Sequence, residues 1–457
     1  MAAIREALWP GWVSPDGRRL LAARALRNFA YGFMSVLLGI YLEALGYTAA
    51  EFGGVLMATL AGSALLSLLF AAVADRWGRR RVLAGCAALK AIAGVTYALA
   101  PPYPILLLAA LTGTLGSTSG EIGPFLSLEQ AMLPQTCPDL RRTQLFSLYN
   151  LQGAVAWSLG ALCAGVPSVL ERGFGVGSLG AFRVMFVVYG ALALGTLSIF
   201  AGLSPAVEAP REGAAPPRAR LHRSRRIVLG LSALLGLDSL GGGFVVQSLI
   251  AFWFYRRWGA GPDVLGPVFM IAGFLQAASY LLAARLAGRI GLLNTMVFTH
   301  LPSSVLLMLI PAMPSLNLAI ACLLARQGLS QMDVPTRQSY MMAVVEADER
   351  TATSSLTNVA RNVAQALTPG LAGYAMDALN LGLPFILGGG LKIVYDLLLL
   401  AAFRAVKPPE ERQPPRTPSP PGTSGRSIPS RRSWRPWRLE GQRRRVQRSR
   451  SKRRRRS

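Results

Sequence analysis

Arg27, Glu121, Asp238, Asp333 and Arg361 stand deep inside long apolar runs of this 457-residue chain. A charge at that depth in a bilayer costs about 3 kcal/mol or more, so it is kept only with a partner or a task. Glu121 lies midway along the run at 104–133, within Ser117-Thr118-Ser119-Gly120-Glu121, and Asp333 is as central in the run at 315–345. Asp238 lies 11 residues into the run at 227–254, beside Ser239 and Gly241-Gly242-Gly243. Arg361, flanked by Asn358, Asn362 and Gln365, is 10 residues into the run at 351–376, and Arg27 beside Asn28 has similar depth in the first run. Two chemistries suit such groups: contact with a polar solute, and proton carriage by a carboxylate kept away from water. The plainer alternative is a static Arg–acid pair that locks helices together. For Asp238, with Arg27 or Arg361 as partner, both stand open. Glu121 points to proton carriage, since no basic residue lies within a turn or two of it on its own run.

The elements that must position these charges are membrane helices. The chain is 52% hydrophobic and only 15% charged, where a soluble domain carries about a quarter charged residues. Apolar runs of about 20 residues, enough to cross about 30 Å of hydrocarbon, place twelve spans at 20–45, 52–74, 82–100, 104–133, 143–169, 181–203, 227–254, 263–286, 292–312, 315–345, 351–376 and 384–406. Loops after the odd spans hold only Arg172, Arg256 and Arg257 of the basic residues; the other set holds Arg76, Arg79, Arg80, Arg81, Arg141, Arg142, Arg289 and Arg350. Basic short loops stay on the cytoplasmic side. Both termini are therefore expected in the cytoplasm, with the protein spanning the plasma or inner membrane many times. Lys392 and Asp396, four apart on the last span, are expected to neutralise each other. The sequence leaves Lys90 unexplained.

The halves repeat. A shift of 213 aligns Gly46 with Gly259, Gly53 with Gly266, Arg76 with Arg289 and Gly78 with Gly291. A shift of 208 aligns Gln130 with Gln338, Arg142 with Arg350, Ser147 with Ser355 and Asn150 with Asn358, and sets Glu129 near the counterpart of Arg337. Residues 1–203 form one six-helix half, 204–226 a Pro- and Arg-rich linker, 227–406 the second half and 407–457 a tail. The tail's 18 Lys/Arg and 3 Glu supply more than half of the net charge of +26. Its composition predicts disorder, with anionic lipid headgroups as its partner and no nucleic acid. Between spans two and three, Ala74-Asp75-Arg76-Trp77-Gly78-Arg79-Arg80-Arg81 combines a glycine for a tight turn with an acid at a helix C-terminus, where it opposes the dipole. Asp75 makes sense there only if Arg79, Arg80 or another helix N-terminus faces it.

This turn resembles the Gly-x-Leu-Ala-Asp-Arg-x-Gly-Arg-Arg signature of the major facilitator superfamily, with Ala71 in place of the first glycine. The resemblance covers residues 20–406. It implies an all-α fold of twelve transmembrane helices in two pseudo-symmetric halves, with a cavity lined by spans one, four, seven and ten. Arg27, Glu121, Asp238, Arg326 and Asp333 would then line that cavity, with Arg361 beside it, as a substrate or proton pathway. Asp75, Arg76, Gly78, Arg79, Arg80 and Glu129 would form a conformational gate, with Glu129 meeting Arg79 or Arg80. Pro124 and Pro335 interrupt spans four and ten and permit bending. The arginine of drug–proton antiporters in span four, and their Gly-Pro pair in span five, have no counterpart here. No Gly-x-x-x-x-Gly-Lys-Ser stretch occurs, and neither Cys86, Cys137, Cys163 and Cys322 nor His222 and His300 have metal-like spacing. The expectation is a monomeric secondary transporter, not an enzyme and without cofactor. It would move a small organic solute by alternating access coupled to protons, with efflux favoured over uptake. The alternative is a transporter-fold sensor or scaffold acting through the basic tail.

Overall fold

Backbone groups in hydrocarbon must satisfy one another, and helices do so within one segment. A computed structural model describes residues 10–116, 118, 123–208, 224–345 and 349–404, and all regular structure among them is helical. The first half contains α1 (Pro15–Ala44), α2 (Ala49–Trp77), α3 (Arg79–Leu99), α4 (Tyr103–Leu111), α5 (Pro124–Met132), α6 (Arg142–Leu162), α7 (Val166–Phe174) and α8 (Ser178–Ala201). The second contains α9 (Arg225–Phe244), α10 (Gln247–Trp258), α11 (Pro262–Ile290), α12 (Leu292–Leu309), α13 (Leu316–Ser330), α14 (Asp333–Ala343), α15 (Arg350–Ala378) and α16 (Leu383–Phe403). Each of the twelve expected spans falls on one or two of these helices. Linker residues 209–223 and the tail from 405 lie outside the described residues.

Local chemistry sets several ends. Ser14 caps α1 by accepting from Gly17 N at 3.2 Å, and Thr48 with Glu51 forms a reciprocal capping box on α2. Spans four, seven and ten are not continuous helices as the run lengths suggested; each is broken in two. Pro124 opens α5 afresh after Gly123, whose φ is +124°. Pro335 lacks the N–H that would bond to the carbonyl of Gln331, and the chain breaks at Gln331–Met332 between α13 and α14. Span seven breaks at Val245–Val246, just after its three glycines. Among the described residues, nine stretches are long and apolar enough to cross a membrane by length and composition. Spans four, ten and eleven are not among them, and α15 of span eleven carries Asn358, Arg361, Asn362 and Gln365.

The halves meet along two related seams, α2 against α15 and α6 against α11, with α1 against α10 between them. Gly53 on α2 shows why these seams need bare backbone. A Cβ there would lie 3.1 Å from Gly373 Cα and 3.2 Å from Gly370 Cα of α15. Its repeat partner Gly266 on α11 sits 2.9 Å from Leu162 O of α6 in the same sense. Large apolar side chains such as Leu65, Leu69, Val95, Leu108, Leu194 and Leu371 face outward, as a surface against lipid tails requires.

Candidate functional site

Two buried charge systems occupy the halves, and they differ in kind. In the first half, Arg27 of α1 and Glu129 of α5 are both fully buried and joined by two parallel bonds, each 2.7 Å. Tyr149 Oη of α6 donates to the same carboxylate at 2.7 Å, and the Phe125 ring lies 4.6 Å from the guanidinium. This corrects two expectations. Arg27 is sealed within the half rather than lining a cavity. The Glu129 carboxylate is held by Arg27 and Tyr149 instead of serving the gate arginines. The helix that carries Glu129 starts afresh at Pro124. Lys90 of α3 lies buried with Nζ 3.8 Å above the Tyr31 ring and 4.6 Å from that of Tyr189, a cation over two ring faces.

In the second half three helices, α12, α14 and α16, bring charged or titratable side chains to Asp238 of α9. Lys392 of α16 donates to its Oδ1 at 2.6 Å, and Arg337 of α14 reaches Oδ2 at 3.4 Å and Asp333 Oδ2 at 2.8 Å. His300 of α12 lies with Nε2 3.7 Å from Asp238 and Nδ1 3.0 Å from both oxygens of Asp396 on α16. Asp238, Asp333, Arg337, His300, Lys392 and Asp396 are all buried. Lys392 and Asp396 thus take their direct partners from other helices rather than from each other, Lys392 bonding Asp238 of α9 and Asp396 meeting His300 of α12. Asp238 likewise takes Lys392 and Arg337 as its partners. Arg361 of α15 instead donates from Nε to Ser239 Oγ at 3.2 Å.

These groups border a cavity of about 260 Å³ whose wall includes Thr118, Asp238, Gln247, His300, Arg326, Asp333, Arg337, Arg361, Gln365 and Lys392. Asp238, Arg326, Asp333 and Arg361 all border this cavity. Glu121 lies outside the described residues, and so does the side chain of Asp75. Gly78 joins α2 to α3 with φ +93°, and Gly291 repeats the turn at φ +86°. The acid that serves the turn's helix N-terminus is one that sequence reasoning passed over. Glu208 accepts from Arg79 N at 2.7 Å and Arg80 N at 3.2 Å, where a helix N-terminus favours negative charge. Arg79 Nη1 reaches Ala131 O at 3.3 Å, and Arg76 is exposed.

Polar ties cross between the halves at the end remote from these turns. Arg256 at the end of α10 lies 3.8 Å from Glu43 of α1, while within its own half it pairs with Asp377 of α15 at 2.6 Å. Asp377 also accepts from Ala50 N at 2.7 Å, at the start of α2. Arg172 meets Asp263 at 2.5 Å, and beneath them Gln247 donates to Ser35 Oγ at 2.9 Å. Arg337, His300, Lys392 and Arg256 were all missed as site residues. For Arg337 the 208 shift that sets it opposite Glu129 was the available signal, since it ties a charge on span four to one on span ten.

Residues 20–256 and 231–448 each match the family model of the Major Facilitator Superfamily. An uncharacterized membrane protein of Saccharomyces cerevisiae, YJR124C, is 27% identical over 425 residues, covering 86% of this chain and 95% of its own. Among solved structures, the nucleoside transporter NupG superposes with TM-score 0.67 at 14% identity, covering 85% of this chain and 99% of its own. A D-xylose-proton symporter gives 0.65 at 15% identity, with 83% and 96% covered. A bacterial homolog to the human lysosomal transporter Spinster, inward-facing and occupied, gives 0.66 at 16%, with 87% and 97% covered. At these identities the structural likeness concerns the fold.

Proposed function

The chain belongs to the major facilitator superfamily, and on that premise we propose that it moves a small organic solute by alternating access, driven by protons. Family and fold are those of a multi-pass membrane transporter rather than an enzyme. The observation that supports the finer reading is the cavity walled by charged residues from α9, α12, α13, α14, α15 and α16, with ties across the seam at Arg256–Glu43 and Asp377–Ala50 N. Polar groups this deep are costly, and a solute site that opens to one face at a time gives them a use. The opposite face, at the Gly78 and Gly291 turns, is read as cytoplasmic from its arginines.

For coupling, His300 is the group best placed among the described residues. It bridges Asp396 and Asp238, so one proton gained or lost at the imidazole changes the charge balance around both acids. Glu121 is the companion candidate in the first half. The plasma or inner membrane as location, and a tail lying on anionic lipid, belong to the same reading.

The test uses purified protein in proteoliposomes supplied with a cell metabolite extract and an imposed pH gradient, read by mass spectrometry. At least one small organic solute is expected to accumulate above its external concentration, and a protonophore abolishes this. His300→Gln is expected to lose accumulation while keeping exchange at equal pH. No solute enriched over protein-free vesicles contradicts the proposal.

A further inference from the structure

The charges around the cavity do not balance. Asp238 is engaged by Lys392 and Arg337, Asp333 by Arg337, and Asp396 by His300. Two further cavity residues, Arg326 and Arg361, have no carboxylate within ion-pair reach among the described residues. Arg326 Nη1 bonds only the neutral Gln327 at 2.8 Å, and its buried Nε has no acceptor. Arg361 bonds only the neutral Ser239. A guanidinium withdrawn from water is kept where an anion meets it, and its planar fork fits a carboxylate or phosphate. Both arginines border the same space, together with Gln327, Gln365 and Gln247, which offer amides for hydroxyls.

We infer that the solute is a small organic anion, whose carboxylate or phosphate is held by Arg326 and Arg361. The cavity of about 260 Å³ lies just under the usual range for small-molecule sites, so the anion is no larger than a sugar acid or sugar phosphate. The anion supplies the charge the protein lacks, and an empty site leaves two half-buried cations without a counter-charge. This rests on the transport reading for its purpose. Its test is equilibrium binding, so failure of the one is distinguishable from failure of the other.

Purified protein is melted with gluconate, glucose 6-phosphate, succinate or glucose, and binding is measured by calorimetry. Gluconate and succinate report a carboxylate, glucose 6-phosphate a phosphate. At least one anion is expected to raise Tm while glucose does not. Arg326→Gln and Arg361→Gln each weaken that anion about tenfold or more, and Arg361→Lys falls between. A second readout needs no ligand. In the empty protein Arg326→Gln and Arg361→Gln hold or raise Tm, whereas Arg337→Gln, which strips partners from Asp238 and Asp333, lowers it. The inference is overturned if glucose stabilises as well as the anions or if none of the anions does. It is equally overturned if both glutamine variants melt as low as Arg337→Gln.

Discussion

Arg27 and Glu129 show what a buried pair does and does not contribute. Their two 2.7 Å bonds offset the cost of taking both charges out of water, with little net gain over an apolar replacement. Removing one partner is different, because the other stays buried and unmatched. Arg27→Met is therefore expected to destabilise the protein by about 3–5 kcal/mol, and Arg27→Met with Glu129→Gln to recover most of that loss. Denaturant melts in detergent check it, and a single variant as stable as the parent contradicts it. Depth along the apolar runs made Arg27, Asp238 and Asp333 legible in the sequence as buried charges. Their partners were not legible. Ion pairing is set by which helices pack together, and the helix that carries Glu129 begins only at Pro124. Lys392 and Asp396 mislead for the same reason: spacing of four permits a pair on one helix, while α9 and α12 offer each residue a better partner.

Between elements, the two halves use one plan with the charges reversed. Arg27 on α1 meets Glu129 on α5, and Asp238 on α9 meets Arg337 on α14, each joining the first span of a half to its fourth. Such cross-ties let a half move as one body. The twelve helical runs and the repeat were legible because composition and the 213 and 208 shifts are properties of the chain itself. The breaks in spans seven and ten were only half legible. Glycines and Pro335 mark where a helix can stop, and tertiary packing decides whether it does. The cap on α3 was not legible, since Glu208 is 129 residues from Arg79. Glu208→Ala removes the acceptor for two backbone N–H groups, with an expected cost of about 1 kcal/mol. Faster hydrogen exchange at the amides of Arg79 and Arg80 is the expected signature, and unchanged exchange there counts against the cap.

At the scale of the whole molecule, Arg256 with Glu43, Arg172 with Asp263, and Asp377 with Ala50 N tie the halves together at one end. Half-exposed ion pairs of this kind are each worth about 1 kcal/mol or less, weak enough to part in each cycle. A transporter of this fold must open there for the solute to leave the cavity on that side. The most direct measurement locks that end. In a chain with Cys86, Cys137, Cys163 and Cys322 replaced, Ala50→Cys and Asp377→Cys are joined by oxidation, and solute accumulation driven by a pH gradient is followed in proteoliposomes. The account predicts accumulation that stops on oxidation and returns on reduction. Accumulation that continues through the verified crosslink would contradict alternating access at this seam.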